Sequence, residues 1–109
     1  MSLDVILSEI RPTEVGIYSA NITHNLNKMA EAAGIYKALW RPDEIGVTKA
    51  SQLIPLLEAG LTRLEKNPDK FKKYNPSNGW GSYEGLVRFV KEYLTQCRRY
   101  PDADVIVCR

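Results

Sequence analysis

The chain has 109 residues, enough for one domain around one core. Its 44% hydrophobic and 26% charged residues are ordinary for a globular protein and argue against general disorder. Fifteen basic residues against 13 acidic ones leave a net charge of +2, too balanced to point by itself to nucleic acid or an anionic membrane.

The segment 3–10, Leu-Asp-Val-Ile-Leu-Ser-Glu-Ile, is aliphatic and partly alternating, stops at Arg11-Pro12, and reads as a strand. The segment 14–19 is a weaker candidate, either a second strand or an extended lead into a helix. Asn21 then has the look of a helix N-cap, with Ile22, Leu26, Met29, Ala30 and Ala33 on one face of the helix and Gly34 as its stop. Residues 35–40 suit another helical turn, interrupted at Arg41-Pro42. Thr48 suits the cap of a further helix whose stripe is Ala50, Leu53, Leu57, Leu61 and Leu64, widened by Leu56. Pro55 inside that pattern removes a backbone donor and predicts a kink or break near Ile54. Asn67-Pro68 ends the helix and starts a single turn through Phe71. Ser82 caps a final helix with Leu86, Val90, Tyr93, Leu94 and Cys97 on one face, and 105–107 reads as a short terminal strand. The expectation is a single α+β domain over 1–109, a small sheet of N- and C-terminal strands covered by three to four helices.

No apolar run approaches the roughly 20 residues of a membrane span, and no N-terminal apolar stretch suggests secretion. Cytoplasm is the expected location. Asn21-Ile22-Thr23 matches the glycosylation sequon, which without a signal peptide is read as coincidence with helix capping. Cys97 and Cys108 are expected to be reduced thiols. Two cysteines and one histidine fall short of a structural zinc site, so no metal or cofactor is expected.

No catalytic signature stands in the chain: Gly-x-Gly-x-x-Gly, P-loop and Gly-x-Ser-x-Gly patterns are all missing. The sequence therefore does not assign a function, only places where a site could lie. The most informative is 75–83, Asn-Pro-Ser-Asn-Gly-Trp-Gly-Ser-Tyr. There Asn78 and two glycines surround Trp80 on a loop, aiming an indole either into a core edge or at a partner. His24, the one histidine, is a candidate for acid–base chemistry beside Asn21 and Asn25. The preferred reading puts it on a solvated helix face, because no partner is fixed by sequence. Asn21, Thr23 and Asn25 crowd one turn, more polar groups than capping needs. Trp40 and Arg41, followed by Pro42-Asp43-Glu44, suit an aromatic contact and an anion clamp. The preferred reading is a Trp at the core edge with Arg41 and Glu44 as local surface charges. Lys66, Lys70, Lys72 and Lys73, interleaved with Phe71 and Tyr74, superficially resemble a nucleic-acid patch. Glu65 and Asp69 dilute it and argue against that use.

Three blocks carry a resemblance: 21–26, 38–44, and the stretch from Asn78-Gly79-Trp80-Gly81 through Tyr83 to the turn at 100–103. The chain resembles a family of short, uncharacterised proteins of bacteria and their phages. The likeness implies a compact cytoplasmic or phage-encoded accessory protein and carries no catalytic residue with it.

The leading expectation is a non-enzymatic interaction module that binds a protein or small ligand through an aromatic and polar surface near Trp40, Arg41 and Trp80. A small enzyme with His24 in a polar pocket is the alternative. Nucleic-acid binding through 66–73 is the weaker one. Any shared site requires the 21–25 turn, the 40–41 turn and the Trp80 loop to converge.

Overall fold

The computed structural model describes residues 2–9 and 15–109; Ile10, the stop at Arg11-Pro12 and Glu14 lie outside the described residues. Strands β1 (Ser2–Glu9), β2 (Val15–Thr23) and β3 (Asp104–Cys108) form an antiparallel sheet in the order β2-β1-β3. The terminal strands are direct neighbours, as expected, with Val5 opposite Val107, Ile6 opposite Ile106 and Leu7 opposite Val105. Pairing supplies what such short apolar runs lack alone. Leu3, Val5 and Leu7 point into the core, while Asp4 between them is exposed. A register shift after Leu7 breaks the alternation, and Ser8 is buried as well.

The first helix differs from expectation. β2 continues through Thr23, so Asn21 is a strand residue and no helix cap. It stands opposite Asp4, and its Nδ2 donates to Asp4 Oδ1 (2.7 Å) and Ser2 Oγ (2.8 Å). Ile22 opposite Leu3 is buried by the sheet, so cross-strand packing overrides the local capping preference. Thr23 is the cap instead. Its Oγ1 accepts from the Asn25 N–H (3.3 Å) at the head of a 3-10 turn, His24–Leu26, which leads into α1 (Asn27–Ala32). Gly34, at φ +76, reverses the chain into α2 (Tyr36–Trp40).

Helix α3 (Ala50–Lys66) begins against the turn that follows the last helix. Ala50 N–H donates to the Ala103 carbonyl and Ser51 N–H to that of Pro101, both at 2.9 Å. Gln52 Oε1 accepts from the N–H groups of Thr48 (2.7 Å) and Lys49 (2.9 Å), so the cap is Lys49, one residue later than expected. The expected break near Ile54 is not there: α3 runs unbroken through Pro55. Pro55 and Ser51, whose carbonyl would have taken the missing bond, are both exposed, so water can satisfy that acceptor. Leu53, Leu57 and Leu64 are fully buried and Leu61 partly so, but Leu56 is exposed and does not widen the stripe. Gly60 completes the stripe by absence: a Cβ there would lie 2.0 Å from Ile35 Cγ2, so the α2 segment sits directly on the α3 backbone.

The single turn α4 (Pro68–Lys72) leads by way of a loop to α5 (Tyr83–Arg99), capped as expected by Ser82 Oγ, which accepts from the Gly85 N–H (3.1 Å). Leu86, Val90, Tyr93, Leu94 and Cys97 are buried, joined by Tyr83 and Phe89. α3 and α5 lie antiparallel. Tyr83 OH donates to the Leu64 carbonyl (2.6 Å), and Arg98 meets Glu58 (2.9 Å). Among the described residues there are thus five α-helices, three of them only five or six residues long. Cys97 is buried and Cys108 exposed, both as free thiols.

Candidate functional site

The loop between α4 and α5 is tied down along its length. Tyr74 N–H donates to the Phe71 carbonyl (2.9 Å) and Asn75 N–H to that of Lys72 (3.0 Å). Asn75 Oδ1 then accepts from the Tyr83 N–H (2.8 Å), closing the loop onto the start of α5. Asn78 Oδ1 accepts from the Trp80 N–H (3.0 Å), a side chain standing in for a backbone turn. Across the loop Asn25 Nδ2 donates to the Trp80 carbonyl (3.3 Å). Gly81, at φ +107, lies so close to the 23–26 turn that a Cβ would meet Thr23 Cγ2 at 2.8 Å and Leu26 Cγ at 3.0 Å. With the backbone held on both sides, the Trp80 side chain is 72% exposed.

Trp40 is the opposite case, only 2% exposed. Tyr36 stacks on it at 5.5 Å between ring centroids, and His24 meets it edge-on at 6.2 Å. Trp40 therefore belongs to the core edge and cannot form part of a contact surface. His24 departs from the solvated helix face expected of it. It is half-buried in the 3-10 turn, and its Nε2 is enclosed without a hydrogen-bond partner, as is Trp40 Nε1. Arg41 takes its bland role: its Nε donates to Tyr36 OH (3.2 Å) and its Nη1 to Glu44 (3.1 Å). Those bonds raise its pKa above the usual value and fix the guanidinium on its own turn. The Trp40 carbonyl accepts from Arg109 Nη1 (2.9 Å), which joins the end of the chain to this turn.

The three suspected segments do meet, through His24 on Trp40 and Asn25 on the Trp80 loop. Their polar groups do not converge on one point. Asn21 is engaged on the sheet, Arg41 with Tyr36 and Glu44, and Asn25 and Asn78 hold the Trp80 backbone. Beyond Gly81, a groove of about 470 Å³ runs between the end of β2 and the start of α5, with Asn21, Thr23, Gly81, Ser82, Arg88 and Glu92 among its lining; Trp80 is not part of that lining. Arg88 and Glu92 escape notice in the sequence. They lie off the apolar stripe of α5, and only its packing against β2 turns them into a wall. A second cavity of about 450 Å³, lined by Tyr36, Lys37, Ile45 and Leu56 among others, opens on the α2 side and is mostly apolar.

On the lysine segment, Lys72 is committed to Glu84 (3.8 Å) and Lys70 lies over the Phe71 ring (5.6 Å). Among the described residues, no cluster of three or more His, Cys, Asp or Glu side chains is arranged to hold a metal ion. No helix among them is long and apolar enough to cross a membrane. Comparison with protein-family models, curated proteins and solved structures finds no match.

Proposed function

We propose that the chain is a non-enzymatic binding module whose contact surface is the Trp80 loop and the groove beside it. One observation carries this reading: an indole left 72% exposed on a loop whose backbone is fixed by Asn25, Asn75 and Asn78. Exposing that much aromatic surface is unfavourable for the free protein, and a ring carried on a fixed backbone has only its side-chain torsions left to order when something covers it. The centre of the surface is Trp80, with Asn25 and Asn78 in support. Trp40 is buried and Arg41 is bonded to Tyr36 and Glu44, so both serve as scaffold.

Chemistry at His24 draws less support. Asn21 and Asn25, its presumed pocket partners, are bonded elsewhere, and its Nε2 has no proton donor or acceptor within reach. Nucleic-acid binding through the lysines is weakened by the pairing of Lys72 with Glu84. Free thiols at Cys97 and Cys108 suit a reducing compartment and so a cytoplasmic setting.

The test is affinity capture of proteins and small molecules from host extract on immobilised protein, with Trp80→Ala and Arg41→Ala compared with the parent. Trp80→Ala should lose what the parent retains while unfolding at the same temperature, and Arg41→Ala should retain it. Identical captured sets for the parent and Trp80→Ala would refute the proposal.

A further inference from the structure

We propose that the protein pairs with a second copy of itself along the open edge of β2, antiparallel about a two-fold axis, to form one continuous sheet; this goes beyond the Trp80 reading and does not rest on it. Alternation along the sheet decides which backbone groups are free. The Val105 N–H donates to the Thr48 carbonyl (2.9 Å) and therefore points away from β1. Ladder bonds then fall on every second residue. Asp4, Ile6 and Ser8 of β1 turn to β3, and Leu3, Val5 and Leu7 turn to β2. Tyr18, Ala20 and Ile22, opposite the latter three, face β1, so the backbone groups of Ser19, Asn21 and Thr23 face outward. Those of Ser19 and Asn21 meet no backbone partner there among the described residues. The groove of about 470 Å³ is lined by 20–23 on the strand side, so α5 does not cover this edge.

A row of outward N–H and C=O groups, repeating every two residues, is satisfied along its length by another extended backbone. The two edges of the sheet make a second copy its fitting occupant. β3 is sealed: Lys49 bridges to Asp104 and holds its carboxylate at 2.6 Å, Thr48 takes the Val105 N–H, and Arg109 ties the end of the chain to the Trp40 carbonyl (2.9 Å). β2 carries neither charge nor proline over Val15–Thr23, and its register shift lies before Tyr18, clear of the outward row. One two-fold pairing gives the order β3-β1-β2-β2-β1-β3, with a sealed strand at each end, and the assembly closes as a dimer. A foreign strand would bring a new open edge of its own. The row is also complementary to itself. An axis at Asn21, its centre, sets Asn21 opposite its own copy and Ser19 opposite the partner's Thr23, so amide faces amide, hydroxyl faces hydroxyl, and no like charges meet.

The experiment is sedimentation velocity of the full chain over a wide range of concentration, with amide hydrogen exchange read at Ser19 and Asn21. The parent should sediment as two chains when concentrated, with both amides protected, and as one chain on dilution, with both exchanging freely. Ser19→Pro removes an outward N–H and no bond to β1, while Asn21→Lys sets two cations face to face across the axis. Each should weaken dimerisation about tenfold or more, because a two-fold interface feels every change twice. Both positions are exposed, so both variants should unfold like the diluted parent. Trp80→Ala should dimerise as the parent does, which keeps this result separate from the capture experiment. A parent that stays monomeric at every concentration, with both amides exchanging freely, would overturn the inference. So would a dimer that Ser19→Pro and Asn21→Lys leave intact, since it would use another surface. A monomer that instead binds a foreign extended peptide, and loses it in both variants, would overturn self-pairing and give the β2 edge to that peptide.

Discussion

Replacing Gly60 by Ala should destabilise the protein, against what helix propensity alone dictates. In the interior of α3, Ala is favoured over Gly by about 1 kcal/mol. The new methyl, however, would lie 2.0 Å from Ile35 Cγ2 and 3.2 Å from Ile35 Cβ, where contact between carbons is comfortable only near 3.5–4.0 Å. Ile35 is fully exposed to the core and not at all to solvent, and its branched side chain has few rotamers to escape into. Overpacking of this kind costs about 1–3 kcal/mol, and so short an approach belongs at the upper end. Subtracting the propensity gain leaves a net loss of about 2 kcal/mol, roughly a 10 °C drop in Tm for a domain of this size. Urea denaturation followed by circular dichroism measures it. In an Ile35→Ala background, where the obstructing methyls are gone, the same substitution should turn neutral or mildly stabilising. If Gly60→Ala raises the midpoint in the parent, α2 does not rest on the α3 backbone as described.

Two further outcomes follow from the thiols and phenols. Burial pushes the Cys97 thiol up to about 12, while Cys108 is exposed, so iodoacetamide at neutral pH should add one label to the native chain and two in denaturant; two labels without denaturant would refute the burial of Cys97. Burial raises the pKa of Tyr93, Tyr83 and Tyr18 as well, above the ordinary value of 10.0. The folded state therefore holds protons that the unfolded chain releases, so this contribution to stability is complete below about pH 9 and is lost as pH rises further. Urea midpoints should fall steadily above that point, with the phenolate absorbance of Tyr93 appearing only as the chain unfolds and that of Tyr83 and Tyr18 displaced to higher pH than in the unfolded chain. A flat midpoint with early, complete phenolate absorbance would refute it.

The sheet was legible in the sequence where burial alternates locally. Leu3, Val5 and Leu7 announce a half-buried strand, and the apolar run at 105–107 has nowhere else to pair. β2 was only half legible, because Asn21-Ile22-Thr23 is a good capping sequence in isolation. Its strand state comes from partners about twenty residues away, Asp4 for Asn21 and Leu3 for Ile22. Pro55 misled in the other direction. A missing donor breaks a helix when the orphaned carbonyl is trapped, and here Ser51 is exposed. Gly60 carried no signal, since its importance lies in the side chain of Ile35 across a helix contact. Arg88 and Glu92 were silent for the same reason: a groove wall exists only once β2 is packed beside α5.

The two tryptophans had similar surroundings of turn and polar residues in the sequence, and the physical difference between them bears on function. Trp40 ends a helix, where its neighbour one turn back, Tyr36, is placed to stack on it, and His24 closes the other side. Order around Trp40 and burial of its ring are the same set of contacts. At Trp80 they are separate. The bonds from Asn25, Asn75 and Asn78 and the close seat of Gly81 on Thr23 and Leu26 order the backbone, and none of them covers the indole. A loop needed only to connect α4 with α5 could reach Tyr83 without a large apolar ring left in solvent. One that seals a core would turn the ring inward and gain about 25 cal/mol for each Å² removed from water. Fixing the backbone while leaving the ring in solvent forgoes that gain, and what it yields is an aromatic side chain presented from a backbone of defined position. Such a surface lowers the ordering cost for whatever binds there, which is why the binding reading is centred on Trp80 rather than on either histidine chemistry or the lysine segment.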